Sequence, residues 1–273
     1  MTIKFIKENY PKLLDFFTQE WIEQELEKNP SKCHPVANQI HQNRELSSVH
    51  LEKLNRYLTV LEKEIAAKGS YRRRLTDNNQ YYNTRAELEI GTMFKEMGFQ
   101  IELEPSIPDS PKKSDIKIIH DENEIFIEIR TVKSKPGIPI QNEGDINIYQ
   151  INFHSAVDIA DKIGDEVHGL SDDNIGIVVL FLAPGFPNPD ILPQSFYGGR
   201  LYYHDGKVVI AVPGGNAQEN HEISGLFLYQ QWYNPEGDHV LKQLFINPNA
   251  NHKLTDEIIR IFKENEIEIK HPN

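Results

Sequence analysis

Apolar residues recur at close to helical spacing through the first 75 positions. Leu13, Leu14, Phe17, Trp21 and Ile22 follow Pro11, a residue suited to the first position of a helix, and Asn29-Pro30 ends that segment. Pro35 reads as a further break. Beyond it Leu51, Leu54, Leu58, Leu61 and Ile65 form one stripe, which predicts a single long amphipathic helix over 45–68 with Gly69 as its stop. No strand pattern appears in this stretch. The expected organisation is a helical N-terminal portion over 1–75, a polar linker at Thr76-Asp77-Asn78-Asn79-Gln80, and an α/β domain over 83–273 with a C-terminal β-strand extension.

From Asn83 the pattern changes. Ala86, Ile90, Met93, Phe94 and Met97 give a helix over 84–97 that Gly98 stops, and a short strand follows over 99–103. After a proline-flanked loop at 105–111 come strands over 115–119 and 124–132, joined by His120-Asp121-Glu122-Asn123 as a hairpin turn. A helix is expected over 152–167. The apolar, β-branched run at 175–182 reads as a strand covered on both faces. The remainder predicts a short helix near Ile191, strands near Leu201 and Val208, a strand pair over 226–232 and 240–246 joined at Asn234-Pro235-Glu236-Gly237, and a last helix over 254–262.

Composition narrows the class. The chain has 273 residues, 38% hydrophobic and 26% charged, the profile of a globular protein. No stretch approaches the roughly 20 apolar residues needed to span a bilayer, and the amphipathic start has no apolar run of the secretory kind. A cytoplasmic protein with no membrane association is therefore expected. One cysteine, Cys33, excludes an intramolecular disulfide and a multi-cysteine zinc site. A net charge of -12 argues against a surface coated for nucleic acid, but the charge is polarised. Nine acids face Lys162 alone between Glu143 and Asp190, whereas Lys68, Arg72, Arg73 and Arg74 cluster within seven residues.

The acids of the middle strands carry the candidate chemistry. Asp115 opens one strand and Glu128 lies in the next, so hairpin pairing brings backbones ~4.8 Å apart and same-face side chains together. Two carboxylates that close repel unless a cation lies between them, and Mg²⁺ takes such oxygen ligands at about 2.1 Å. Alternation places Arg130 on the face of Glu128, with Ile127 and Ile129 on the other, and the Ile129 carbonyl offers a third oxygen.

The order helix, strand, strand, strand, helix, strand with acids at these points resembles the PD-(D/E)xK nuclease superfamily over roughly residues 83–183. The resemblance implies a restriction-endonuclease-like mixed β-sheet flanked by helices. It also implies a site in which Glu87, Asp115 and Glu128 hold Mg²⁺ or Mn²⁺ and a phosphodiester bond of DNA, ahead of RNA, is hydrolysed. Glu87 takes the helix-acid role by its interval before Gly98, although periodicity alone sets Glu87 and Glu89 equally on the two borders of the apolar face. Arg130 stands where the family has lysine. Arginine cannot act as a base, but it can stabilise charge in a phosphorane-like transition state. Lys117, of matching parity to Asp115, and Lys162 on the following helix are alternative amines. The competing expectation is a degenerate site in which Arg130 replaces the metal and the fold serves as a binding or regulatory module. A third is a protein-interaction partner that uses the acidic stretch as its binding surface, and a homodimer is a separate expectation.

Among weaker signals, Arg72, Arg73 and Arg74 with Tyr71, Tyr81 and Tyr82 suit phosphate contact and base stacking, and equally a solvated linker. Cys33-His34 and His41 lack metal-ligand spacing and are expected to be ordinary surface residues. Asn247-Pro248-Asn249-Ala250 resembles a segment that ends some bacterial proteins of this fold.

Overall fold

The computed structural model describes residues 3–30, 32–42, 45–108, 112–132, 170, 174–182, 201–204, 207–211, 223–234 and 237–271. The helices expected over 152–167 and near Ile191, together with Lys162, lie outside these residues. Within them the architecture is α/β, with a mixed seven-stranded sheet and a helical N-terminal region, as the pattern predicts. The chain divides into two compact units, Met1–Leu103 and Glu104–Asn273, so the division falls after Leu103 rather than in the polar segment at 76–80.

The first unit contains α1 (Ile3–Asn9), α2 (Pro11–Phe16), α3 (Gln19–Leu26), α4 (Pro35–Gln42), α5 (Glu45–Val60), α6 (Glu62–Ala66), α7 (Ser70–Thr76), α8 (Tyr81–Glu96) and β1 (Gln100–Leu103). Several predicted elements are subdivided, for local reasons. Thr18 accepts a hydrogen bond from the Trp21 N–H at 3.2 Å and so caps a new helix, splitting the first predicted one into α2 and α3. Pro35 is not a break but the first residue of α4, where its missing N–H costs nothing. The long predicted helix divides at Leu61, whose backbone (φ -97, ψ 20) leaves the helical region while its side chain stays buried. The polar segment is an Asx turn: Asp77 accepts from the Asn79 N–H at 2.8 Å and from the Gln80 amide at 3.0 Å, and α8 starts from it.

The second unit contains β2 (Ile116–His120), β3 (Asn123–Val132), β4 (Ile175–Leu182), β5 (Leu201–His204), β6 (Lys207–Ala211), β7 (Gly225–Asn234), β8 (Gly237–Ile246), α9 (Asp256–Glu264) and β9 (Glu268–Lys270). The sheet order is β1-β2-β3-β4-β7-β8-β9, with β5 and β6 forming a separate two-stranded sheet. β3, β4 and β7 run parallel, and the hairpins β2–β3 and β7–β8 flank them antiparallel. Central β4 is buried on both faces, which is why its sequence is apolar without alternation. One face contributes Phe126, Val178, Leu180, Leu182, Leu226, Leu228 and Phe245 to a single apolar cluster.

The β4 and β7 starts are tied by polar groups. Ser224 Oγ accepts from the Gly176 N–H at 3.1 Å and donates to the His252 carbonyl at 2.6 Å. Buried Asn247 donates to the Ile223 carbonyl at 2.8 Å and accepts from the Asn249 N–H at 3.0 Å, which gives the Asn-Pro-Asn-Ala segment a structural reason. At Gly225 a Cβ would lie 2.9 Å from Leu244 Cδ1 and 3.1 Å from the Phe245 carbonyl oxygen, so a side chain here would press on the paired strand β8. Among the described residues no helix is long and apolar enough to cross a membrane.

Candidate functional site

The expected trio of acids spans both units, and each part has its own surroundings. In the second unit the β2–β3 register pairs Ile116 with Ile127, Lys117 with Phe126 and His120 with Asn123. The paired register ends at Ile116–Ile127, so Asp115 lies just beyond it in a bend before β2, and Glu128 follows Ile127 within β3. The turn closes in two residues, with Asp121 in the left-handed region (φ 50), a conformation that Asp tolerates. Buried Ser114 donates to the Ile127 carbonyl at 2.7 Å, and Asp115 Oδ2 accepts from the Ile129 N–H at 2.8 Å. Side chains thus extend the ladder past its last paired residue and fix where Asp115 stands.

Glu128 is 5% exposed, and in the parallel register it faces Val178, beside the apolar cluster. A carboxylate so placed is costly unless a cation serves it. Arg130, on the same face, brings Nη2 to 3.8 Å from Glu128 Oε2 and donates from Nη1 to the Ile129 carbonyl at 3.2 Å. The first distance is an ion pair too long for a hydrogen bond. Lys117 pairs with Glu124 at 3.2 Å, and its ammonium lies 5.8 Å from the Phe126 ring centroid.

In the first unit Glu87 and Glu89 of α8 are both buried, at 3% exposure each. Tyr71 donates its hydroxyl to Glu87 Oε2 at 2.9 Å, and Arg74 pairs with Glu87 Oε1 while its guanidinium lies 5.0 Å over the Tyr71 ring. Glu89 has Arg85 at 3.6 Å. Burial, and then the nearby Glu89 charge, push the Tyr57 hydroxyl well above the usual phenol range.

The expectation for the arginine run is therefore corrected at one position. Arg72 and Arg73 are exposed, but Arg74 is turned to Glu87. The cause is that residues 70–76 form a helix, which buries Tyr71 and Leu75 on one side with Arg74 beside them. The expectation of a surface Cys33-His34 is also overturned, since both are buried. One group was missed by the sequence reading. Among the described residues, the trio of metal-ligating side chains whose ligand atoms lie within 4.8 Å of one another is His120, Asp121 and Glu257. His120 Nε2 is 3.9 Å from Asp121 and 3.7 Å from Glu257, and all three are partly exposed. Asp121 follows His120 in the turn, but the Glu257 contact joins residues far apart in sequence, which no local pattern reveals.

No protein-family model matches the chain, and no curated protein matches it. Among solved structures, SfsA of Pyrococcus furiosus, determined in complex with Ca²⁺, is similar at 13% identity with a TM-score of 0.26. The alignment covers 61% of this chain and 63% of that one, less than two thirds of its length. A likeness at that score carries no weight for fold or activity.

Proposed function

We propose that the protein is a Mg²⁺- or Mn²⁺-dependent nuclease that hydrolyses phosphodiester bonds of DNA, ahead of RNA. The observation that supports this reading is the β2–β3 hairpin, whose register ends at Ile116–Ile127 with Asp115 and Glu128 next along the two strands and Arg130 at 3.8 Å from Glu128. The donor set fits a hard divalent cation, being two carboxylates from adjacent strands with no sulfur or imidazole. Asp115 and Glu128 would hold the ion. The bound ion would supply a water of lowered pKa and charge stabilisation at phosphate. Arg130 binds the scissile phosphate and stabilises charge there without moving a proton. Asp115 is oriented by the Ile129 N–H, and the exposed Arg72 and Arg73 bind flanking phosphates.

A cleavage panel on single-stranded, duplex and branched substrates with Mg²⁺ and Mn²⁺ tests this. Asp115→Asn keeps an acceptor for the Ile129 N–H while removing the charge. It is expected to lower cleavage on the order of 100-fold or more, the scale of losing one charge-stabilising group at a reacting centre. Unchanged cleavage in Asp115→Asn and Glu128→Gln would sink the proposal. Arg130→Lys, which restores an amine, is expected to raise the rate.

A second reading has its own support: Arg74 stands at Glu87 and Arg130 at Glu128, so two of the three acids already face a cation. Under that reading the protein is a non-catalytic binding or regulatory module. Calorimetry with Mn²⁺ separates the two, because a module of this kind gives no saturable heat that depends on Asp115.

A further inference from the structure

The β2–β3 turn and the first turn of α9 bring together three side chains that the proposed nuclease site does not use. His120 ends β2, Asp121 follows it in the turn, and Glu257 lies in the first turn of α9. All three belong to the second unit. One imidazole nitrogen and one carboxylate oxygen from each acid lie within 4.8 Å of one another. His120 Nε2 stands 3.7 Å from Glu257 Oε1 and 3.9 Å from Asp121 Oδ2. Neither contact is a hydrogen bond, which would bring the atoms to about 3 Å. Both match instead the spacing of two ligands on one ion, roughly 3–4 Å when each bond is about 2.1 Å. Both arms of the cluster are anchored. His120 pairs with Asn123 in the strand register, and the Asn123 amide donates to its carbonyl at 3.4 Å. α9 is seated by buried Ile258, Ile261 and Phe262, and Thr255 caps it by accepting the Ile258 N–H at 3.4 Å.

We propose that His120, Asp121 and Glu257 form a second metal site, for a divalent transition-metal ion of the Zn²⁺ class. One imidazole with two carboxylates is a mixed nitrogen–oxygen donor set, and the imidazole favours zinc-like ions over Mg²⁺ or Ca²⁺. Three protein ligands leave room for water on the ion, in keeping with the partial exposure of all three side chains. Arg260 also approaches the cluster, with Nη2 at 3.9 Å from Glu257 Oε1. It donates from Nη1 to Glu264 at 3.1 Å and its side chain is 61% exposed, so an incoming ion displaces only a long, water-screened contact. Bound there, the ion ties the β2–β3 turn to α9. His120 lies at the far end of β2 from Asp115, roughly 16 Å away at about 3.3 Å per extended residue. The site therefore stands apart from the Asp115–Glu128 reading and does not depend on it.

Equilibrium titration of the full chain with Zn²⁺ at neutral pH tests it. The native protein should bind the ion saturably, and Glu257→Gln and Asp121→Asn should each weaken that binding roughly tenfold or more. Losing even a partner behind a metal ligand costs about 10–100-fold, and losing the ligand itself should cost no less. Asparagine tolerates the left-handed backbone at position 121 (φ 50), so that variant keeps the turn. Asp115→Asn should leave Zn²⁺ binding unchanged, which separates failure of this site from failure of the nuclease reading. Zn²⁺ should also raise the melting temperature of the native protein but not of Glu257→Gln, because the three ligands meet only in the folded chain. In the unmutated protein the His120 imidazole signals in NMR should shift as Zn²⁺ is added, a readout that needs no variant to fold. Zn²⁺ held equally well by Glu257→Gln, or bound with the His120 signals unmoved, would place the ion elsewhere and overturn the site. Absence of saturable Zn²⁺ binding would overturn it too, leaving an imidazole between two carboxylates.

Discussion

His34 is 1% exposed and enclosed by Phe17, Trp21 and Tyr81 at centroid distances of 5.7, 4.9 and 4.7 Å. Its Nδ1 accepts from the Val36 N–H at 3.2 Å, which places the proton of the neutral ring on Nε2. Burial pushes its pKa down to about 4, although the carboxylate of Glu25, which accepts the His34 backbone N–H at 2.9 Å, pulls the other way. The unfolded chain therefore takes up this proton at a higher pH than the folded one. The contribution of His34 is intact above its ordinary value near 6.5 and is lost as pH falls through about 4. The loss amounts to about 3 kcal/mol over that window. Glu25 adds in the same direction, because Lys28 and the His34 N–H outweigh its burial and hold its carboxyl below the usual range. Urea midpoints measured between neutral pH and pH ~4 should fall in the native protein and fall distinctly less in His34→Gln, whose amide can still accept from Val36. Equal slopes would show that another group governs the acid side. Nothing in Cys33-His34-Pro35 reveals this burial, since the enclosing rings come from residues 13–47 positions away.

The pairing of α7 with α8 makes the corresponding case for elements. Removing one partner of a buried ion pair leaves an uncompensated charge, so Arg74→Ala should lower stability on the order of 3–5 kcal/mol. Glu87→Gln, which removes the charge but keeps an acceptor for Tyr71, should cost less. The double variant should cost less than the two singles combined, and thermal or urea unfolding of the full cycle measures that coupling. Additive costs would mean that Arg74 stabilises α7 independently of Glu87. The same pair marks where the sequence stops being legible. The β2–β3 pairing follows from strand alternation and one short turn, both local, and the expected strands at 115–119, 124–132 and 175–182 fall within a residue or so of β2, β3 and β4. Arg74 on Glu87 depends on one helix packing on another across the Asx turn, and a run of three arginines looks solvated until that packing is known. Element ends escape the sequence for a related reason. The buried Leu61 keeps the apolar stripe unbroken through a backbone break, and β9, three residues long, is too short to show a period.

At the scale of the whole chain, a formal charge of -12 sets nucleic-acid binding against a repulsive background. Attraction must then come from a few local cations, and each phosphate they neutralise should appear in the salt dependence. The outward Arg72 and Arg73 of α7 are the described cations that best meet this need, because neither is committed to the Glu87 pair that engages Arg74. Replacing both with alanine should weaken binding to duplex DNA and make the plot of log K against log salt shallower by about 2, since each neutralised phosphate adds roughly 0.9 to the slope. Fluorescence anisotropy across a salt series measures both quantities, with Asp115→Asn present throughout to suppress cleavage. The sign of the change carries the discrimination. If the partner were instead a basic protein drawn to the acidic stretch, deleting two positive charges would leave its binding unchanged or tighten it. Weaker DNA binding with an unaltered slope would place the effect in the folding of α7 rather than at the phosphates. Only the joint fall of affinity and slope fits a nucleic acid held at the outer face of this helix.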